Sequence, residues 1–300
     1  MTYPTYRLSK DVSDRLAAAG LAPFDVESVI ARALAEDLDG GVDVTTMATV
    51  PSSQQSRLAL VSRASGVLAG VPVAAAVFAM VGDDDVRLEW ESEDGERVTP
   101  GSRVLSVVGS THALLRAERP ALNLLGHLSG IATLTARWVD AIAGSRAQIR
   151  DTRKTTPGLR ALEKYAVRCG GGRNHRMSLA DAALVKDNHV AAAGGIAQAF
   201  RLVRASSPDI PIEVEVDSLD QLTDVVEAGA DLVLLDNFTV DQMREAVQRV
   251  AGRVRLEASG GLTLDVAAEV AATGVDYLAV GALTHSAPVL DIGADLETVG

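Results

Sequence analysis

The sequence is poor in cysteine, in aromatic residues and in long apolar runs, and each shortage excludes a class of protein. Its single cysteine, Cys169, excludes an internal disulfide and any metal site built from several cysteines. Aromatic residues make up only 3% of the chain, which is too few for an extended surface on which single-stranded nucleic acid stacks. The apolar stretch 66–82 has no charged residue, but it is shorter than the roughly 20 residues of a membrane-spanning helix.

Positive charge is also scarce. The 300 residues include 28 Lys and Arg against 40 Asp and Glu, which gives a formal net charge of −12. General binders of nucleic acid or of anionic membranes are usually basic, so we expect neither as a partner. The first ten residues lack the apolar core of a secretory signal, which makes a cytoplasmic protein the expectation. The length predicts two domains, or one large barrel with an extension.

A regular pattern begins near residue 147, where short apolar strands alternate with amphipathic helices. The strands are predicted at 147–150, 182–185, 212–216, 231–235, 253–257 and 276–280. Such alternation indicates an α/β fold with a parallel sheet. The repetition favours a β/α barrel over an open doubly wound sheet, although periodicity alone does not decide between the two.

The segment that precedes this pattern, 114–142, is helical in character but contains Pro120. Proline lacks an amide hydrogen and disfavours helical backbone in the residue before it. We therefore predict one helix that ends near Arg119 and a second that begins at Pro120. The domain junction is placed there, with an N-terminal α/β domain over residues 1–115 and a barrel domain over 116–286.

Polar residues follow the predicted strands of the barrel. These polar stretches are 151–154, 186–189, 236–237, 259–261 and Gly281. Because the carboxyl ends of barrel strands meet at one rim, the active site is expected there. Glu213, Glu215 and Asp217 alternate with apolar residues and so share one face of a strand. Unpaired buried charge is costly, so these acids predict a polar barrel interior that takes part in the function.

Basic residues concentrate beside the first two strand ends. Segment 150–190 has nine Lys and Arg and four acids in a chain that is acidic as a whole, which predicts a small anionic ligand. Arginine offers a planar fork that matches carboxylate or phosphate, and lysine offers a point charge. Glycines after the last two strands predict a phosphate site, because backbone amides can approach phosphate oxygens there.

Several motifs resemble those of the quinolinate phosphoribosyltransferase family, and the similarity covers nearly the whole chain. They are RDTRKTTPGLRALEKYAVRCGGGRNHRMSLADAALVKDNHV, EDLDGGVDVTT, GVLAGVPVA, ERPALNLLGHLSGIAT, IEVEVDSLDQL, LVLLDNF, LEASGGL and VGALTHSAPVLDIGADL. The resemblance implies an N-terminal α/β sandwich-like domain, then an open, TIM-like β/α barrel, with residues 287–300 returning to the first domain.

The resemblance also implies an activity and its requirements. Quinolinate and phosphoribosyl pyrophosphate would give nicotinate mononucleotide, pyrophosphate and CO2, a step of de novo NAD synthesis. Mg²⁺ would accompany the phosphoribosyl pyrophosphate, and no organic cofactor is expected. Thr152, Arg153, His175 and Arg176 would form the quinolinate site. Arg119 would reach it from a neighbouring subunit, which implies a homodimer or a larger oligomer.

Catalytic roles are implied for four residues. Lys154 and Lys186 would lie near the carboxylate and the pyrophosphate, and Glu215 and Asp236 would lie at the ribose hydroxyls and the Mg²⁺. The remaining substrate-binding residues, most of them in the 5′-phosphate loops, would be Ser259, Gly260, Gly261, Gly281 and His285.

Two other functions stay open at this point. A relative that acts on another base, such as nicotinate, would not need all of Arg119, Arg153 and Arg176. A non-catalytic sensor of phosphosugars or dicarboxylates would need the cations but not Glu215 and Asp236 beside them. For His175 the simpler alternative is a capping or packed residue.

Overall fold

A computed structural model describes residues 8–82 and 85–299. The chain divides into two compact units. The first consists of residues up to 134, of 156–171 and of the chain from 286 onward, and the second consists of 135–155 and 172–285. Among the described residues, no helix is both long and apolar enough to cross a membrane.

The first unit combines helices with a four-stranded antiparallel sheet. Its helices are α1 (Lys10–Ala18), α2 (Pro23–Leu38), α3 (Val44–Thr49), α4 (Val71–Gly82), the first part of α5 (Thr111–Ala141) and α6 (Arg160–Cys169). Its strands are β1 (Gln55–Ser62), β2 (Gly66–Val67), β3 (Arg87–Trp90), β4 (Arg97–Val98), β5 (Arg103–Ser110) and the last strand of the chain, β12 (Ile292–Thr298). The sheet order is β12-β1-β5-β3, and β2 pairs separately with β4. Helix α4 is buried on every side, as its uniformly apolar sequence requires.

Helix α5 runs through Pro120 without a break, so the prediction of two helices is wrong. A proline inside a helix costs about 3 kcal/mol relative to alanine. Burial of the apolar residues on both sides of it, among them Leu114, Ala117, Ala121 and Leu125, offsets that cost. The division between the two compact units falls inside α5, after Leu134, whereas the sequence predicted a junction near residue 115.

The returning end of the chain packs closely on α5 within the first unit. The Leu290 amide donates to the Gly126 carbonyl at 3.0 Å, and β12 then pairs antiparallel with β1. A side chain at Gly130 would lie 2.1 Å from the Pro288 carbonyl oxygen. Glycine at this position therefore lets the return segment approach the helix backbone.

The second unit is an open barrel of parallel strands. Its strands are β6 (Gln148–Arg150), β7 (Ala183–Val185), β8 (Ile212–Val216), β9 (Leu232–Asp236), β10 (Arg255–Ser259) and β11 (Tyr277–Ala279). Its helices are the end of α5, then α7 (Asp187–Ala193), α8 (Ile196–Ser206), α9 (Leu219–Glu227), α10 (Val240–Val250), α11 (Ala267–Ala272) and α12 (Ala282–His285), with a short 3₁₀ turn over Leu264–Val266.

The order of these strands, β6-β11-β10-β9-β8-β7, decides between the two predicted architectures. The first strand of the unit lies beside the last, as in a barrel, while the others follow in sequence. No reversal of strand order occurs, so the doubly wound alternative is excluded. Strands β6 and β7 are the two ends of the sheet, which leaves the barrel open between them. The predicted β/α barrel is confirmed, and all six predicted strands are present.

Candidate active site

A cavity of about 640 Å³ opens at the carboxyl ends of the barrel strands; we call it the rim cavity. Eleven of the fourteen predicted site residues line it: Thr152, Arg153, Lys154, His175, Arg176, Lys186, Glu215, Asp236, Ser259, Gly260 and Gly261. Their convergence follows from topology, because parallel strands deliver the residues after each carboxyl end to the same rim.

Two acids project into the rim cavity from neighbouring strands. Glu215, on β8, accepts a hydrogen bond of 2.7 Å from the Lys186 ammonium, and Asp236, at the end of β9, accepts one of 2.9 Å from the Asn237 side-chain amide. The Glu215 side chain is only 16% exposed, so it needs this cation. Asp217, which follows β8, is exposed and does not line the cavity.

The glycine loop after β10 packs against the loop after β9. Gly260 and Gly261 have φ of +89° and +60°, backbone values that favour glycine. A side chain at Gly260 would lie 2.2 Å from the Asn237 Oδ1, whereas one at Gly261 would meet no atom of the described residues within 4 Å. The close approach of the two loops is therefore set at Gly260.

Gly281 and His285 lie at the edge of the rim cavity, beside Lys154. A side chain at Gly281 would be 2.9 Å from the Lys154 Cδ and 3.3 Å from the His285 Nε2. The Thr284 hydroxyl donates to the Lys154 carbonyl at 2.8 Å, and the Lys154 amide donates to the Thr152 hydroxyl at 3.0 Å. These contacts fix the backbone of the loop that carries Lys154.

The cations of the rim cavity are crowded and only partly satisfied. The Arg153 Nε is buried and has no hydrogen-bond partner among the described residues. Burial lowers the pKa of the Arg176 guanidinium, and the nearby charge of Arg153 lowers it further. Like charges held together with a buried donor unpaired indicate a site that is built for an anion.

Sequence reasoning did not select Glu257, which is fully buried at the floor of the rim cavity. Its carboxylate accepts a hydrogen bond of 2.5 Å from the Arg150 Nη1. Burial raises the pKa of Glu257 to about 8, and the charge of Glu213 adds to that shift. A signal was available, because Glu257 is two residues before Ser259 on the same strand and so shares its face.

Arg119 is not among the residues that line the rim cavity. It lies on α5 in the first unit, where it is exposed. Among residues 8–82 and 85–299, its guanidinium forms no ion pair. The structure therefore brings together most of the predicted substrate-binding residues within one unit and places Arg119 in the other.

Two family models match the chain. The model described as "Quinolinate phosphoribosyl transferase, N-terminal domain" matches residues 43–129, and its C-terminal counterpart matches residues 131–295. The nicotinate-nucleotide pyrophosphorylase [carboxylating] of Mycobacterium leprae is 56% identical over 278 residues, covering 91% of this chain and 98% of the relative. The chloroplastic enzyme of the same name from Arabidopsis thaliana is 39% identical, covering 92% and 84%.

Solved structures show the same similarity. NadC from Streptococcus pyogenes superimposes with a TM-score of 0.89 at 41% identity, covering 93% of this chain and 99% of that one. The nicotinate-nucleotide pyrophosphorylase of Ehrlichia chaffeensis superimposes with a TM-score of 0.87 at 37% identity, covering 90% and 98%.

Proposed function

The chain belongs to the quinolinate phosphoribosyl transferase family, and on that premise we propose that it transfers the phosphoribosyl group of phosphoribosyl pyrophosphate to quinolinate and releases CO2. The other products are nicotinate mononucleotide and pyrophosphate, which makes the reaction a step in NAD synthesis. The strongest support is the rim cavity itself, where a cluster of closely spaced basic side chains faces two partly buried acids.

The cations suit the first substrate. Quinolinate carries two carboxylates on adjacent ring carbons, so a site for it must supply several donors within a small space. Arg153 offers a buried donor that has no hydrogen-bond partner among the described residues. Its guanidinium is also close enough to Arg176 for their repulsion to lower the pKa of Arg176. A dianion placed between them would relieve that repulsion, and each guanidinium would bind a carboxylate through two parallel hydrogen bonds.

The acids suit the transfer step. As pyrophosphate leaves, positive charge develops at C1 of the ribose, and a carboxylate held in place beforehand stabilises it without reorganisation. Glu215 and Asp236 face the cavity from adjacent strands and would also hold Mg²⁺ that arrives with phosphoribosyl pyrophosphate, because hard carboxylate oxygens are the ligands this ion prefers. The ion would neutralise part of the pyrophosphate charge. Lys186, which is paired with Glu215, would contact the pyrophosphate.

Decarboxylation follows from the product of the transfer. Once ribosylated, the ring nitrogen is cationic and stabilises the electron pair that stays on the adjacent ring carbon when the carboxylate leaves as CO2. A proton from solvent then adds to that carbon and completes nicotinate mononucleotide. The protein then has only to position and screen charge. If the Lys154→Ala variant formed quinolinate mononucleotide but released no CO2, Lys154 would instead take a direct part in that step.

The test of the function is an assay with Mg²⁺ and phosphoribosyl pyrophosphate, to which quinolinate or nicotinate is added separately. We expect nicotinate mononucleotide and CO2 from quinolinate only, and no turnover when Mg²⁺ is removed by chelation. Binding of quinolinate without product would contradict the proposal and favour a sensor. Product from nicotinate would favour the other base.

We also propose that Arg119 completes the site of a second copy in a homodimer. Its exposure on α5 and its lack of an ion pair among the described residues leave the guanidinium available. Mixing Arg119→Ala protomers with Glu215→Gln protomers should restore activity that neither variant has alone, because one mixed site then has both residues. If mixtures of the two variants regained no activity, the proposal that Arg119 acts in the site of the partner copy would be contradicted. The cytoplasmic location is likewise a proposal, and cell fractionation tests it.

A further inference from the structure

A buried cluster of ionisable groups lies beneath the rim cavity, inside the barrel. It consists of His175 and of two acids, Glu213 on β8 and Glu257 on β10, which we call the acidic floor. The His175 Nε2 is 2.6 Å from the Glu213 Oε2 and 3.6 Å from the Glu257 Oε1. The three side chains are 9%, 4% and 0% exposed, so their contacts form almost without water.

The hydrogen bonds of His175 define its tautomer. The backbone amide of Arg176 donates to the His175 Nδ1 at 2.7 Å, so this nitrogen must carry a lone pair. In a neutral imidazole the other nitrogen then carries the hydrogen. That hydrogen points to the Glu213 carboxylate, which accepts it. Both ring nitrogens are therefore used inside the chain, and neither is left to bind a substrate directly.

The backbone around His175 is fixed from the opposite side. Asp151, which is fully buried, accepts from the His175 amide at 2.8 Å and from the Asn174 side-chain amide at 2.5 Å. The Arg176 guanidinium in turn donates to the Ala182 carbonyl at 3.0 Å. The ring of His175 thus links the acidic floor to the residue whose guanidinium lines the rim cavity.

His175, Glu213 and Glu257 are also spaced like metal ligands, but their hydrogen bonds do not suit a metal. An ion on the His175 Nε2 would move the ring hydrogen to Nδ1, where it would oppose the Arg176 amide hydrogen. Arg150 already occupies one oxygen of Glu257. If the cluster serves to orient His175, the hydrogen bonds of His175 to Glu213 and to the Arg176 amide both remain. A metal ion on the His175 Nε2 would break them.

We propose that Glu213 is a positioning residue that holds His175 in one tautomer and thereby fixes Arg176 for binding a carboxylate of the substrate. This inference deepens the proposed function and rests on it for the identity of that substrate. The nearest precedent in physical terms is an acid that orients an imidazole through its ring N–H.

Kinetics provide the first test. Replacing Glu213 by leucine removes the acceptor, and loss of a charged hydrogen bond predicts a rise in KM for quinolinate of roughly 10- to 100-fold, with KM for phosphoribosyl pyrophosphate nearly unchanged. Glu213→Gln keeps the shape and one acceptor oxygen and should recover most of the loss. Glu227→Gln, an exposed acid at the end of α9, is the matched control and should change neither constant. Equal rises in both KM values would overturn the proposal.

Nitrogen-15 NMR provides a second test that needs no turnover. The chain has five histidines, and the spectrum of a His175→Gln variant assigns the signal of His175. We expect a neutral ring with hydrogen on Nε2, and a mixture of tautomers in Glu213→Leu. Hydrogen on Nδ1, or a metal-bound Nε2 with stoichiometric metal in the purified protein, would overturn the proposal. If the native enzyme did not turn over quinolinate, the proposed function would fail while this measurement still decided the role of Glu213.

Discussion

Replacement of Gly260 by alanine isolates the contact that places the predicted 5′-phosphate loop. The new methyl group would lie 2.2 Å from the Asn237 Oδ1, 2.7 Å from its Cγ and 3.0 Å from its backbone nitrogen, at a φ of +89°. Left-handed backbone costs a residue with a side chain roughly 1–2 kcal/mol, and overpacking costs roughly 1–3 kcal/mol more. We therefore expect about 2–5 kcal/mol of strain, which the loop relieves by moving.

The neighbouring glycine is the matched control. Gly261→Ala places a methyl group at φ +60° with no atom of residues 8–82 or 85–299 within 4 Å, so only the backbone cost of roughly 1–2 kcal/mol applies. If the loop binds the phosphate, KM for phosphoribosyl pyrophosphate should rise much more in Gly260→Ala than in Gly261→Ala, at a tenfold change per about 1.4 kcal/mol.

Asn237→Gly, combined with Gly260→Ala, should recover part of the loss, because it removes the nearest clashing atoms while the backbone contact remains. Steady-state kinetics with varied phosphoribosyl pyrophosphate, together with thermal unfolding of each variant, make the comparison. Equal effects of the two single substitutions, or no recovery in the double variant, would refute the reasoning.

Three further predictions concern the packing at Gly130, the pH dependence of stability and the ion pair between Lys186 and Glu215. Gly130→Ala places a methyl group 2.1 Å from the Pro288 carbonyl oxygen and should lower the unfolding temperature by several degrees, since overpacking of roughly 1–3 kcal/mol outweighs a gain in helix propensity of about 1 kcal/mol. Burial raises the pKa of Glu257 from 4.5 to about 8, so between these values the folded state keeps a proton that the unfolded chain loses. The free energy of unfolding should therefore fall as the pH rises through this range, and it should fall less steeply in Glu257→Gln. Urea titrations at several pH values make the comparison. Lys186→Met removes the ammonium that contacts Glu215 and should weaken pyrophosphate binding in calorimetry by roughly tenfold or more, while quinolinate binding changes little.

The rim of the site was predictable because it depends on short-range patterns. Each barrel strand is a brief apolar run, and the polar residue after it must return to the same edge once the strands are parallel. Glu215, Asp236 and Ser259 follow from this rule without knowledge of any long-range contact. The repeating strand and helix lengths favoured a barrel, but the strand order was needed to exclude a doubly wound sheet.

Long-range packing explains what the sequence did not reveal. Pro120 disfavours a helix locally, but buried apolar residues on both sides of it keep α5 continuous. Residues 156–171 follow the first barrel strand in the chain and yet group with the first unit. Buried Glu163 accepts from His127 at 2.9 Å and from the Thr156 amide at 3.1 Å. The partnership with His127, 36 residues away, leaves no periodic signal in the sequence.

The acidic floor resolves an apparent conflict in the electrostatics of the site. A cavity for a dianion must hold cations close together before the ligand arrives, and Arg153 already lowers the pKa of Arg176. The charge of Glu213 opposes that shift and so favours the charged form of Arg176. A second full negative charge below the cavity would repel the substrate, but burial raises the pKa of Glu257, which favours its neutral form over the carboxylate. One acid thus stabilises the cations while the other contributes shape and a hydrogen bond to Arg150 with little charge, and the cavity stays net attractive to an anion.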